Sequence, residues 1–330
     1  MKKVLCLVAM IITLSLFCGP VQAAVTLKFS GQYPMEHPTS IIMQEFADAV
    51  KERTKGEVIV KLFPANQLGD YIQVYEEVKR GTIEMALITI PGQFDPRLEV
   101  AILPYIALNY DDIRKFYVPG SNLYKLSEEL HEAQGVQFLG FNIEGFGGLG
   151  ALKMPENLDK ANADRNFILR VPSMITWQII AEDQGFQVIT IPFADLYTSL
   201  QTGVADGWYG GPASDNWFGF RDVIKYFITV NNSVLSTGWV INKATFNKLS
   251  PEHQKVLQEE AARLGEKSIG ISEEGDKKLL EEMENYGIKV VHPTPEQIQA
   301  WADQARNVSW PRLEEALTKE LIDALKAEYK

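Results

Sequence analysis

Residues 165–212 read RNFILRVPSMITWQIIAEDQGFQVITIPFADLYTSLQTGVADGWYGGP, and their pattern decides the fold. Phe167–Val171 is a short apolar run carrying one charge, Arg170, near its far end. Pro172 blocks further ladder pairing, and Ser173 is placed to cap a helix that Gly185 closes. Gln187–Ile191 reads as a second strand, Asp195–Gln201 as a short helix stopped by Gly203, and Ala205–Tyr209 as a third strand. Strands alternating with helices imply parallel pairing, and ligands of such sheets sit beyond the carboxyl ends of the strands. The residues expected there are Arg170, Phe193 and the pair Trp208–Tyr209. That puts one guanidinium, one helix N-terminus and three rings on one rim. A guanidinium offers a planar fork matched to a carboxylate, and helix N-terminal amides add further donors. The structural alternative is an ion pair for Arg170 and core packing for the rings.

A unit of the same form comes earlier. Strands over Val25–Gly31, Val58–Phe63 and Glu84–Thr89 alternate with two helices, one starting at Thr39 or Ser40 and one capped by Asp70. Its strand ends carry Gln32–Tyr33, the Asn66–Gln67 loop and Thr89 to Gln93. Tyr33 and Thr89, with Trp239 from a later strand over Ser233–Asn242, are candidate contributors from this half, with plain packing as the alternative. Between the units lie helical segments around 111–117 and 121–134 and a strand, Val136–Ile143. After them, Ala213–Tyr226 reads as helix and Pro251 opens a long helical stretch to about Tyr286, with Gly265, Gly270 and Gly275 as bend points. A strand over Ile288–His292 and helices from Pro295 complete the chain.

The first residues have another purpose. Lys2 and Lys3, the apolar run Val4–Phe17 and Val21-Gln22-Ala23 before Ala24 form a signal peptide cleaved near Ala23/Ala24, so the chain is expected to be exported. Both cysteines, Cys6 and Cys18, fall in that leader, which leaves the mature chain to a hydrophobic core without disulfides. Losing the two lysines takes the formal net charge from −11 to −13, which argues against nucleic acid as a partner. An anionic ligand then depends on a local positive site rather than on the overall field.

Catalytic signatures are missing. His37, His131, His253 and His292 are scattered without metal-ligand spacing. Carboxylates are plentiful, yet no pair stands out on one rim. Gly145-x-Gly147-x-x-Gly150 matches the dinucleotide fingerprint, but Ala151–Pro155 leaves no room for the helix a pyrophosphate needs. It reads instead as a crossover between two domains. An exported two-domain chain with a cleft and no catalytic set is best explained as a binding protein.

The residues collected here resemble one family, the periplasmic solute-binding proteins of TRAP (tripartite ATP-independent periplasmic) transporters, the DctP-like group. The likeness rests on LKFSGQYPMEHPTS, the NQLGD loop at Asn66–Asp70, RGTIEMA at Arg80–Ala86, LPY at Leu103–Tyr105, LRVPS at Leu169–Ser173 and LQTGVADGW at Leu200–Trp208. It implies an α/β fold of two lobes, hinge strands crossing between them, and a long helix spanning both. With that fold, lobe I takes 24–143 plus about 233–272 and lobe II takes 144–232 plus about 273–330, after the leader at 1–23. The resemblance further implies a receptor, not an enzyme, whose cleft closes on a small organic acid in the periplasm. The acid is then delivered to small and large membrane permease subunits. Arg170 matches the family's arginine that forks onto the substrate carboxylate; Phe193, Trp208 and Tyr209 match positions lining the pocket, and Ser173 follows the arginine motif. Members that bind 2-oxo acids with a metal have a glutamate where Trp208 stands, so no metal and no other cofactor is expected here. With a single strong cation, a dicarboxylate such as succinate leaves one charge poorly paired, at a cost on the order of several kcal/mol. The expected ligand is therefore a monocarboxylate with an apolar or aromatic body, such as an aromatic 2-oxo acid or an indole acid. The alternatives are a receptor for a C4-dicarboxylate or another 2-oxo acid, an exported enzyme acting on organic acids, and a ligand-presenting partner of a sensor kinase.

Overall fold

The computed structural model describes residues 24–327, and the signal peptide read at 1–23 lies outside the described residues. The chain begins β1 (Val25–Gly31), α1 (Pro38–Arg53), β2 (Val58–Phe63), α2 (Tyr71–Arg80) and β3 (Met85–Ile88). α2 follows its sequence closely. Asp70 and Gln73 form a capping box at its start, and Gly81 ends it in the left-handed region at φ 78°. A 3₁₀ helix over Pro96–Ile102, α3 (Tyr110–Phe116) and α4 (Asn122–Ala133) lead to β4 (Val136–Phe146). β4 passes almost directly into β5 (Gly148–Ala151), so the glycine fingerprint is the point where the chain crosses between sheets.

The decisive stretch forms β6 (Ile168–Val171), α5 (Ile175–Asp183), β7 (Gln187–Thr190), α6 (Phe193–Gln201) and β8 (Gly207–Gly211). The helix expected over Ala213–Tyr226 is only a turn, Ala213–Asp215, followed by a wide turn at Asn216–Phe220. Asn216 explains the break: its Nδ2 donates back to the carbonyls of Gly211 and Pro212, and its Oδ1 accepts from Trp208 Nε1. β9 (Tyr226–Ile228) then leads across to β10 (Val234–Asn242), the second crossing. α7 (Lys243–Lys248), α8 (Pro251–Tyr286), β11 (Lys289–Val291), α9 (Pro295–Gln304), α10 (Trp310–Leu317) and α11 (Lys319–Lys326) follow.

The first sheet has the order β2-β1-β3-β10-β4 and the second β11-β9-β5-β8-β6-β7. β1 is parallel to β2 and β3, and β6 is parallel to β7 and β8, as the strand–helix alternation requires. The crossing strands run antiparallel: β10 to β3 and β4, and β5 to β8 and β9. α8 is one uninterrupted helix of 36 residues, without a break at its three internal glycines. It buries Leu257, Ala261 and Leu264 in the first-lobe core and Leu279 and Met283 in the second. The sequence reading groups 273–330 with the second lobe. α9 packs there through Trp301 and Ala302, whereas α10 and α11 bury Leu313, Leu317 and Ile322 in the core shared with Leu123 and Leu130 of α4.

Gly265 of α8 lies where the helix passes β4, and a β-carbon built there meets the Phe141 carbonyl oxygen at 2.5 Å. At Gly270 a β-carbon meets nothing within 4 Å. Urea unfolding is expected to show Gly265→Ala destabilising the protein by about 1–3 kcal/mol through overpacking. Gly270→Ala should instead stabilise it by up to about 1 kcal/mol through helix propensity.

Candidate functional site

The two lobes face each other across a cavity, narrow in this closed form, with about 50 Å³ of water-accessible volume. One water needs roughly 10–15 Å³ by the same measure, so the space holds a few waters or a compact solute. The second lobe contributes Arg170, Pro172, Met174 and Trp177 from the end of β6 and the start of α5, with Phe193 opening α6. The first lobe contributes Gln32 and Tyr33 after β1, Thr89 and Ile90 after β3, and Glu99 from the 3₁₀ helix.

Arg170 is the centre of this wall. Its side chain is 1% exposed; Nε donates to the Ile191 carbonyl at 2.8 Å, and Nη2 has no partner. Burial pulls its pKa down to about 10, against the pull of Tyr71 and Asp70, so the group stays charged at neutral pH. Among the described residues no carboxylate is within ion-pair reach of it. A buried cation without a counter-ion is costly, and an anion entering the cavity removes that cost.

Phe193, Tyr33 and Thr89 join Arg170 at the cavity. Phe193 meets Tyr33 edge-on at 6.2 Å between centroids, a contact between lobes. Thr89 is held by Gln32, which donates to its hydroxyl at 3.0 Å and accepts from its amide at 2.9 Å. The other four sequence candidates stand outside the cavity wall. β8 runs on to Gly211, two residues beyond the end expected, so Gly210 reaches the rim in place of Trp208 and Tyr209. Successive strand residues point to opposite faces. Trp208 therefore packs under α6 with Phe220, and Tyr209 lies on the other face with its hydroxyl donating to Gln184. Trp239, in mid-strand, stacks on Phe29 and meets Phe46 at a tilt in the first-lobe core. Ser173 is exposed and caps nothing through its side chain, while its carbonyl accepts from Gln93 of the opposite lobe.

The cap expected from Ser173 comes instead from Glu99, across the cleft. Its carboxylate accepts from the amides of Thr176 at 2.8 Å and Ile175 at 3.2 Å, at the N-terminus of α5. Burial still lifts its pKa to about 7.

A carboxyl pair, which the sequence reading does not find, also lines the cavity. Glu144 of β4 and Asp215 after β8 both contact the Tyr33 hydroxyl, at 2.9 and 3.1 Å. Burial raises both, each to about 8, and for Glu144 the neighbouring Asp215 adds to the rise. His37 stacks on Tyr33 at 4.0 Å and approaches Asp215 with Nε2 at 3.2 Å. Burial lowers its pKa to about 4, so it is neutral. Residues 71 positions apart on different lobes leave no local pattern to read, which is why Glu144 and Asp215 escape a sequence scan.

Two α/β lobes, two crossing strands, a helix spanning both and an unsatisfied cation in the cleft define a hinged solute-binding protein. Residues 29–315 match the DctP family, bacterial extracellular solute-binding protein, family 7, and the chain belongs to it. It is a receptor rather than an enzyme. It is 25% identical over 324 residues to the C4-dicarboxylate-binding periplasmic protein DctP of Rhodobacter capsulatus, covering 96% of this chain and 94% of that one. It is 27% identical over 274 residues to the 2,3-diketo-L-gulonate-binding periplasmic protein YiaO of Escherichia coli, covering 82% and 81%. The crystal structure of a TRAP periplasmic solute binding protein from Haemophilus influenzae with bound L-gulonate has the same fold, with a TM-score of 0.83 at 22% identity, covering 92% of this chain and 99% of that one.

Because Glu99 supplies the cap, Ser173→Ala is expected to change stability by less than about 0.5 kcal/mol. Glu99→Ala, in the same urea titration, should cost about 1–2 kcal/mol as two helix amides lose their acceptor.

Proposed function

We propose that the chain is the extracytoplasmic receptor of a TRAP transporter, exported with cleavage near Ala23/Ala24. Its ligand is a compact monocarboxylate with an apolar or aromatic body, which it hands to the small and large membrane permease subunits. The observation that carries this reading is the Arg170 guanidinium, buried with an unpartnered nitrogen at the cavity between the lobes. Its planar fork suits one carboxylate. The rest of the wall supports a single acid group. Met174, Trp177, Phe193 and Leu98 offer apolar surface, and Glu99, Glu144 and Asp215, which burial shifts toward their neutral forms, offer a second carboxylate no cation to pair with. Aromatic contacts with such a body add roughly 0.5–1.5 kcal/mol per ring pair beyond area burial. The small cavity puts a branched-chain or phenyl-bearing 2-oxo acid ahead of an indole acid. The relatives named for a C4-dicarboxylate and a diketo sugar acid support an organic acid as the class and leave the body of the molecule to this wall.

Isothermal titration calorimetry tests the reading with 4-methyl-2-oxopentanoate, phenylpyruvate and indole-3-acetate against succinate and malate. At least one of the three monocarboxylates is expected to bind at least tenfold more tightly than either dicarboxylate; the reverse order would overturn the proposal. In the same assay Arg170→Lys should weaken the best ligand at least tenfold, because an ammonium cannot reproduce the two-pronged contact. Unchanged affinity would remove Arg170 from the site.

A further inference from the structure

The carboxyl pair between the lobes has more acceptors than hydrogens. Glu144 Oε1 accepts from the hydroxyls of Thr39 at 3.0 Å and Thr237 at 3.3 Å, while Oε2 faces the Tyr33 hydroxyl at 2.9 Å. Asp215 Oδ2 faces that same hydroxyl at 3.1 Å. A phenol has one hydrogen, so it donates to one carboxyl only. Burial and both carboxyls hold the Tyr33 pKa well above its usual value, so this hydrogen stays in place. His37 does not make up the difference. Its Nδ1 accepts from the Thr39 amide, which puts its proton on Nε2 and commits it to Asp215 Oδ1. Two carboxylate oxygens thus sit near 3 Å from one phenol oxygen with one hydrogen among the three. Unless a carboxyl carries a proton of its own, one of these contacts is a bare approach of two oxygens.

No cation relieves the pair. Among the described residues neither carboxyl has a lysine or arginine within ion-pair reach. The groups facing it are His37 beside Tyr33, with Glu36 acting on that imidazole; Thr39 of α1; Asn142 of β4; Ser236 and Thr237 of β10; and Ser214 next to Asp215. From α8 come Ser272 and Asp276, which line a small space with His37 and Glu144. Asp276 is itself buried beside the Tyr110 hydroxyl, with its pKa pushed up to about 7. Phe193 and Phe218 cover the rings of Tyr33 and His37. Arg170 lines the same cavity but contacts neither carboxyl.

Tyr33 and His37 belong to the first lobe, Glu144 lies on β4 of the first sheet, just beyond the lobe boundary expected at 143, and Asp215 follows a strand of the second sheet. If the lobes part at this seam, water reaches each carboxyl and removes the burial that raises it. We infer that the receptor closes by taking up one proton from solvent, held between Glu144 and Asp215, so that ligand capture is proton-coupled. This rests on the receptor reading above and not on the ligand's identity. No bond of the ligand is made or broken; the proton passes from bulk water to a carboxylate oxygen, and the Tyr33 oxygen accepts the new hydrogen bond. The closed form holds a proton up to about pH 8, whereas a hydrated carboxyl releases it near its ordinary value of about 4. Between those limits the closed form is the more protonated one, so rising pH opposes closure.

The mature chain lacks cysteine, so nitroxides can be placed through Ile41→Cys on α1 and Val204→Cys beyond α6, positions 55% and 48% exposed. Electron–electron resonance distances on the ligand-free protein are expected to show the closed-to-open ratio falling about tenfold per pH unit between about pH 5 and 8, the slope for one proton. Glu144→Gln and Asp215→Asn each put amide hydrogens where the proton is needed, and should flatten that slope. A flat wild-type profile, or variants that keep the wild-type slope, would overturn the inference. Calorimetry with phenylpyruvate at pH 7 in phosphate and in Tris adds a second reading. A difference in heat equal to one buffer proton supports the coupling, and equal heats with clear binding refute it. If phenylpyruvate fails to bind while closure still follows pH, the ligand assignment falls and the proton coupling stands.

Discussion

A cation held in a dry place without its counter-ion is the constraint on which this molecule turns. Arg170 is fixed by one bond from Nε to the Ile191 carbonyl, and a second nitrogen is left with nothing to hold. Desolvation of this kind costs several kcal/mol unless something pairs with the charge. Folding holds it there because Arg170 sits on β6, locked in parallel register between β7 and β8. The receptor is therefore built with a deficit that only a ligand, or an open cleft, can cancel.

Closure is paid for elsewhere by contacts that ignore the ligand. Glu99 of one lobe caps α5 of the other, Gln93 donates to the Ser173 carbonyl, and Phe193 meets Tyr33 edge-on. Each is modest, and charge-assisted bonds to helix amides are the strongest of them. Together they define one closed geometry, in which the guanidinium and most of the apolar wall of the second lobe face Gln32, Tyr33, Thr89 and Glu99 of the first.

Local chemistry was legible in the sequence, and distances were not. The boundaries of β1, β2, α2 and α8 follow from alternation, capping residues and left-handed glycines, all of which act within a few positions. Arg170 and Phe193 line the cavity because the ends of parallel strands and the starts of helices converge by topology. Trp208 and Tyr209 were misplaced by two residues of strand length, which is enough to turn a rim position into a core one. Trp239 shows the limit of residue type as a guide, since an indole serves a core as readily as a cleft. Glu99, Glu144 and Asp215 depend on how one lobe meets the other, and no spacing along the chain encodes that.

The return of α10 and α11 to the first-lobe core has a bearing on how the protein is made. Ile322 of α11 lies against α4 and α10 packs on the 3₁₀ helix, with Leu313 and Leu317 in the same core, while the second-lobe core draws on β5 to β9, β11 and α9. Neither lobe is a contiguous piece of chain, and the last helix completes a core that α2 and β3 begin. A polypeptide emerging N-terminus first thus has no finished half to fold early. The core shared by α2, β3, α4 and β4 is closed only when α10 and α11 arrive, so its completion waits for the far end of the chain.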